Sequence, residues 1–147
     1  VTGLDIVQWQ IRIASGARLN ITQDKVFMHG NAIECRINAE DPDNDFRPGC
    51  GTIDFIHIPG GPCVRFDTAI YQDYSIPPYY DSMIGKLIVQ ARSRELAIRK
   101  MKMALSELTI NGIKHNRDLH IDILSDPSFV SGEYTTNFME ERAKKNS

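Results

Sequence analysis

At 147 residues the chain is long enough to enclose one hydrophobic core and too short for a large two-domain enzyme. Its 41% apolar and 24% charged content is that of an ordinary globular domain, and a net charge of −2 argues against a nucleic-acid partner. No apolar run could span a bilayer, no secretory leader is expected from the opening residues, and an odd set of cysteines (Cys35, Cys50, Cys63) without a CxxC pair implies free thiols in a reducing cytoplasm. Val1 is not an initiator methionine, so a cut or processed piece is expected.

The chain opens on an amphipathic helix. Thr2 reads as its N-cap with Asp5 in the first turn; Leu4, Val7, Ile11 and Ala14 share an apolar face, and Gly16 supplies the stop. Trp9 lies off that stripe, so the helix is expected to need a further partner surface. Residues 17–24 are linker-like, with a short helical turn over 20–24. Residues 26–41 are extended: Ala32, Glu34, Arg36 and Asn38 alternate with Ile33, Cys35, Ile37 and Ala39, which puts Glu34 and Arg36 on one polar face, where an ion pair would fix sheet register. Residues 41–51 are a loop by composition; Asp41, Asp43 and Asp45 imitate part of a calcium loop but lack its glycine and closing glutamate. Residues 52–58 form a strand, PGGP a turn, and the stretch around Arg65 a second strand, and the short glycine-rich turn predicts antiparallel pairing of the two.

Arg65 stands between Val64 and Phe66. If those two face the core, alternation sets the guanidinium on the opposite face, beside a loop with Tyr71, Tyr74, Tyr79 and Tyr80 around Pro77-Pro78. Such a guanidinium could clamp a small anion, or simply pair on the surface with Asp67, Asp73 or Asp81. Residues 83–91 read as a strand, and Ser93 caps a helix over 94–108 that buries Ile98, Met101, Leu105 and Leu108. Cations at 92, 94, 99, 100 and 102 crowd its other side, either as a solvated face or as an interface with an acidic partner. Asn111-Gly112 is a turn. Asn116 or Asp118 starts a third helix to 124, with Leu119, Ile123 and Phe129 on its apolar side, ended by Asp126-Pro127. A last polar helix over 136–145 is anchored by Phe138 and Met139, with terminal lysines suited to its negative end. The fold class is α+β: a mostly antiparallel sheet with flanking helices.

No phosphate loop, nucleophile elbow or metal-ligand spacing appears. His115 and His120 are five apart, off the spacing that aligns two imidazoles on one helical face, and Glu140-Glu141 lie on an exposed helix end. Residue chemistry alone therefore leads to an α+β domain with an anion-binding candidate at Arg65.

The runs AIECRINAEDP (32–42), GGPCVRFD (60–67) and YSIPPYYDSMIGKLI (74–88) resemble the C-terminal domain of the biotin carboxylases. AIRKMKMALSEL (97–108) and TINGIKHN (109–116) are similar to the same family, and VTGLDIVQWQIRIASG (1–16) resembles the helix that ends the preceding ATP-grasp domain. The likeness implies a boundary near residue 24, with 1–24 ending the ATP-grasp domain and 25–147 forming the C-terminal domain.

What the resemblance implies is a reaction in which ATP, magnesium and bicarbonate yield carboxyphosphate, whose CO₂ passes to the ureido nitrogen of biotin on a carrier protein. The family's GVR arginine, which contacts bicarbonate and faces the charge developing on the ureido oxygen, matches Arg65, with cysteine at 63 in place of the usual residue. Thr136 or a neighbour would border the adenine pocket, and no residue here would hold magnesium. The Tyr79-Tyr80-Asp81 run is read as scaffold, its rings packing the loop and its aspartate orienting a neighbour. Implied partners are the ATP-grasp portion of the same enzyme, the biotin carboxyl carrier protein and a second copy in a homodimer, for which the basic stretch from Arg92 to Lys102 is a candidate. Implied activity is the biotin carboxylase step of acetyl-CoA carboxylase in fatty acid synthesis, with an assembly module or the same domain of a propionyl-CoA or pyruvate carboxylase as alternatives. The early end favours a stand-alone bacterial-type subunit, and the chain alone is expected to be inactive. A distant third reading is an unrelated small anion-binding protein.

Overall fold

The structure, a computed structural model, describes residues 1–145; residues 146–147, the last of the expected C-terminal domain, and the side chain of Lys145 lie outside it. Helix α1 (Ile6–Ala14) is capped by Asp5, whose carboxylate accepts from the Gln8 amide at 2.8 Å. That corrects Thr2 as the cap: its hydroxyl accepts from Leu4 N instead, two residues on and before the helix begins. Gly16 at φ +91° ends the helix, with Gly16 N donating to Ile13 O and Ala17 N to Arg12 O. No residue of α1 is buried, and Ile6, Val7 and Ile11 are all more than 60% exposed. A 3-10 turn over Gln23–Lys25 follows.

Strand β1 (Asn31–Asn38) carries the predicted alternation, with Cys35 and Ile37 buried and Glu34 and Arg36 exposed. Short β2 (Glu40–Asp41) and β3 (Arg47–Pro48) pair across the acidic loop. The expected strand over 52–58 is two pieces: β4 (Gly51–Thr52) and β5 (Phe55–His57). Neither pairs with β6 (Val64–Thr68), which corrects the predicted hairpin. β4 pairs with β7 (Ser75–Ile76), and β5 with β9 (Thr109–Asn111), while β6 lies against β8 (Met83–Ala91). Pro59 and Pro62 bring no donors to a hairpin ladder. The PGGP turn is instead pinned to the end of β8: Lys100 Nζ donates to Pro62 O and Gln90 O, both at 3.0 Å, and Gln90 N donates to Cys63 O.

The central antiparallel sheet therefore runs β1-β8-β6, with β8 in the middle. Leu87 and Val89 on β8, fully buried, face Cys35 and Ile33 on one side and Phe66 and Val64 on the other. Helix α2 (Arg94–Glu107), capped by Ser93 as predicted, lays Ile98, Met101 and Leu105 over that face. Each such fully buried side chain contributes about 1.5–3 kcal/mol of transfer free energy. The ring of Phe66 lies on Gly85, where an added Cβ would come within 2.6 Å of Cε2, so β6 and β8 meet through a glycine.

Helix α3 (Arg117–Ile123) contributes Leu124 just past its end, with Ile121 packed alongside. Asn116 precedes it but does not cap it. Its side chain is buried and acts as a surrogate strand on the free edge of β1: Oδ1 accepts from Asn38 N at 2.9 Å and Nδ2 donates to Arg36 O at 3.1 Å. His120 Nε2 meets the same Arg36 carbonyl at 2.8 Å; a carbonyl only accepts, so Nε2 carries the proton. Asp126-Pro127 does not merely end α3. Asp126 caps a further helix, α4 (Pro127–Ser131), with Pro127 at its first turn and Gly132 at φ +84° closing it.

Helix α5 (Phe138–Lys145) completes the described chain. Phe129, Tyr134 and Phe138 form a ring cluster, with Phe129 and Tyr134 stacked at 5.0 Å. The Arg94 guanidinium lies 4.9 Å from the Phe129 ring centre and donates to the Phe129 carbonyl. Arg94 thus faces inward and ties α2 to the C-terminal segment, which removes it from the basic surface predicted for residues 92–102.

Candidate functional site

The face of the sheet opposite the core is where the charged residues gather. Antiparallel register sets Glu34, Ile88 and Arg65 in one cross-strand row and Arg36, Lys86 and Asp67 in the next. Within β1, Arg36 Nε lies 3.6 Å from Glu34 Oε1, the strand-face pair predicted. Within β6, Arg65 Nε lies 3.1 Å from Asp67 Oδ1. Arg65 therefore points away from the core, as alternation required, and its side chain is 68% exposed. It has the acidic neighbour that the surface-pair reading expected, yet the contact lacks hydrogen-bond geometry, and among the described residues no group accepts from its five donors.

Beside this face lies a cavity of about 390 Å³, lined among others by Asp67, Lys86, Tyr74, Tyr80, Ile76 and Met83. The tyrosine loop forms one wall. Tyr71 and Tyr74 meet edge to face at 5.3 Å, but Tyr79 and Tyr80 are 86% and 82% exposed. Their rings do not pack the loop, which corrects the scaffold reading for those two. Asp81 does behave as predicted, accepting from Met83 N at 2.8 Å. The rest of the latch comes from the other motif: Glu40 Oε1 accepts from Ser82 Oγ and, at 3.3 Å, from Asn38 Nδ2, while Ala39 N donates to Ser82 O.

Thr136 is exposed between α4 and α5, and it shares no hydrogen bond or cavity with Arg65. Among the described residues no group of three His, Cys, Asp or Glu is placed to hold a metal ion; Asp41 Oδ1 instead accepts from Asp43 N within the loop. The cysteines are unpaired, and burial, with Glu34 adding to it, pushes the Cys35 thiol up to about 12, so it is an inert core group. Burial holds His115 and His120 below the ordinary imidazole value.

A second concavity, about 870 Å³, lies between the β8 end and α2. Met28, Leu96 and Met103 expose apolar surface there, and Arg92, Arg99 and Lys100 supply positive charge. No described helix is long and apolar enough to cross a membrane.

The Lys86 placement was not read from the sequence. Its neighbours follow from the β1-β8-β6 order, a pairing between segments distant in sequence that no local pattern encodes.

An antiparallel sheet with one charged face, an outward arginine without hydrogen-bond partners on it and helices behind it defines an α+β domain. The family follows from comparison: residues 34–141 match the model of the biotin carboxylase C-terminal domain, and the chain belongs to that family. It is 54% identical over 144 residues to a biotin carboxylase of Nostoc sp., covering 98% of this chain and 32% of that protein. It is 48% identical to the small subunit of 2-oxoglutarate carboxylase from Hydrogenobacter thermophilus, covering 96% of this chain and 30% of that protein. The solved biotin carboxylase domain dimer of the Hydrogenobacter enzyme, in complex with MgADP, ADP and bicarbonate, superposes with a TM-score of 0.91 at 47% identity, over 97% of this chain and 32% of that one. The chain thus spans about a third of the length of the relatives it matches.

Proposed function

We propose that this chain is the C-terminal portion of a biotin carboxylase, acting in the carboxylation of carrier-bound biotin with ATP, magnesium and bicarbonate. Residues 1–24 belong on this reading to the ATP-grasp part, whose surface would cover the apolar side chains that α1 exposes. Bound biotin supplies a ureido group that accepts CO₂; the rest of the protein supplies the nucleotide and metal sites. The role of this chain is Arg65. Its strand fixes the backbone, Phe66 on Gly85 anchors that strand, and the guanidinium presents free donors outward. Charge developing on the ureido oxygen, or carried by bicarbonate, would meet those donors in a site closed to water. Thr136 is proposed to border the adenine pocket, and Tyr79 and Tyr80 to face the remainder of the enzyme.

The observation that carries this reading is the exposed Arg65 without a hydrogen-bonded partner. Its test is made in the full-length enzyme. Arg65→Lys should cut biotin carboxylation at least tenfold while leaving KM for ATP within about twofold, because a point charge cannot replace a planar fork. Equal loss of both, or no loss, would refute it. The isolated chain should show no bicarbonate-dependent ATP hydrolysis.

The acyl acceptor we assign is acetyl-CoA, in fatty acid synthesis, with the carboxyl carrier protein as donor partner and the cytoplasm as location. The likeness to a 2-oxoglutarate carboxylase subunit keeps a different acceptor in view, and carboxylation assays with acetyl-CoA, propionyl-CoA, pyruvate and 2-oxoglutarate decide it. An assembly role is favoured by one observation, the apolar groove rimmed by Arg92 and Arg99. If a second copy seats there, Arg99→Glu should shift the full-length enzyme toward monomer in sedimentation. Arg94, turned inward, is not the residue to reverse.

A further inference from the structure

Residues 115–117 fasten the start of α3 to three other elements at once. His115 Nε2 meets Ile110 O of β9 at 3.0 Å, and Asn116 holds β1 through both its backbone and its side chain. Arg117 Nη1 donates at 2.8 Å to Leu108 O, at the end of α2. Two of these fastenings are indifferent to pH, since a carboxamide does not titrate and a guanidinium keeps its charge. The His115 fastening is different. A carbonyl only accepts, so Nε2 carries a proton, while Nδ1 of the same ring accepts from Arg117 N at 3.4 Å. The two contacts together require the neutral imidazole, because an imidazolium has a donor at each nitrogen and would set N–H against N–H at Arg117. His120 makes no such demand: its Nε2–H donates to Arg36 O whether the ring is charged or not.

A route for the proton is present. His115 is half-buried and lines a cavity of about 270 Å³ with Asp41 of β2, Asp43 of the loop after it, Asp118 and Asp122 of α3, and Lys114. Arg117 already holds Asp118 at 2.8 Å, Arg142 of α5 lies 3.9 Å from Asp122, and Arg47 stands opposite Asp41 in register. A charged ring turned out of its contacts would meet water and Asp43 in this cavity. Within its contacts, burial and then the nearby Arg117 cation disfavour the charged form.

We infer that His115 is a proton-operated latch: neutral, it ties the start of α3 to β9; protonated, it releases Arg117 N and loosens α3 together with the Asn116 seal on β1, while the core under α2 stays closed. Asn116 lies between the two ends of the 115–117 contact, so its backbone shares any movement there. The direction follows from linkage. The closed latch binds a proton less readily than the open one, so closure is complete above 6.5 and is lost as pH falls through the closed-state value.

The test is hydrogen exchange by mass spectrometry on the full-length enzyme at about pH 7.5 and about pH 5.5, corrected for the intrinsic effect of pH on amide exchange. Exchange at the Arg117 and Asn38 amides should rise about two- to tenfold at the lower pH, the net value of one hydrogen bond, while the Met101 and Leu105 amides in α2 stay as they were. His115→Asn should abolish the response, because a carboxamide oxygen near the place of Nδ1 accepts from Arg117 N at either pH. His120→Gln should leave the response as in the wild type. Flat wild-type exchange, or α2 opening in parallel with α3, would overturn the inference from the wild type alone, whatever the folding of the variants. So would a response that survives His115→Asn or disappears in His120→Gln.

Discussion

Asn116→Ala isolates the role of a side chain that seals the sheet. The substitution removes two hydrogen bonds to β1 at a position 6% exposed. They are not equivalent. The Arg36 carbonyl keeps His120 Nε2 as a partner, so losing Asn116 Nδ2 there costs only the net value of a hydrogen bond, about 0.5–1.5 kcal/mol. Asn38 N keeps no described partner, and an orphaned donor costs about 1–3 kcal/mol. The sum is about 1.5–4.5 kcal/mol, or a fall in Tm of about 3–18 °C for a chain of this size. Guanidinium denaturation of the wild type, Asn116→Ala and Ser93→Ala compares this loss with that of an ordinary helix cap, about 1 kcal/mol. Hydrogen exchange adds a local readout, since the Asn38 amide should lose protection while amides in α2 do not. If Asn116→Ala costs no more than Ser93→Ala and leaves Asn38 protected, Asn116 is only a helix-start residue and the edge-sealing argument is wrong.

Stability should rise with pH through the imidazole range. Burial holds His115 and His120 below the 6.5 of a free imidazole, so between the folded and unfolded values the unfolded chain binds more protons. The stabilisation is complete above 6.5 and lost as pH falls through the folded values; a denaturation midpoint that stays level or climbs from pH 7.5 to 5.5 would contradict this. Gly85→Ala should destabilise by about 1–3 kcal/mol, because its methyl would enter the space of the Phe66 ring. Pairing that change with Phe66→Leu should recover part of the loss in the same denaturation assay; no recovery would place the strain elsewhere.

Local pattern told the truth about elements whose determinants are local. The period-two run from Ala32 to Ala39, the Ser93 cap and the buried stripe of α2 all stand as read. Arg65 faces outward because alternation is a property of any strand. Pairing is different in kind. PGGP looked like a hairpin turn, but Lys100 fastens it to β8, and nothing near residue 60 announces a lysine at 100. The same holds for Asn116, whose identity suits a helix cap and whose side chain serves a strand some 80 residues earlier. Asp126-Pro127 is legible both as a stop and as a start, since a capping aspartate followed by proline satisfies either grammar, and here it starts α4. Tyr79 and Tyr80 read as rings that pack their loop, whereas the loop is held by Glu40, Ser82 and Asp81 and leaves the rings outside.

The fastening of Ser82 to Glu40 joins two stretches of chain that sequence comparison would treat as separate signatures. Neither can then be exchanged without regard to the other, for a mechanical reason. Transplanting residues 32–42 alone into a distant homologue would deliver half a buckle, and the tyrosines would lose their bearing without any tyrosine having been changed.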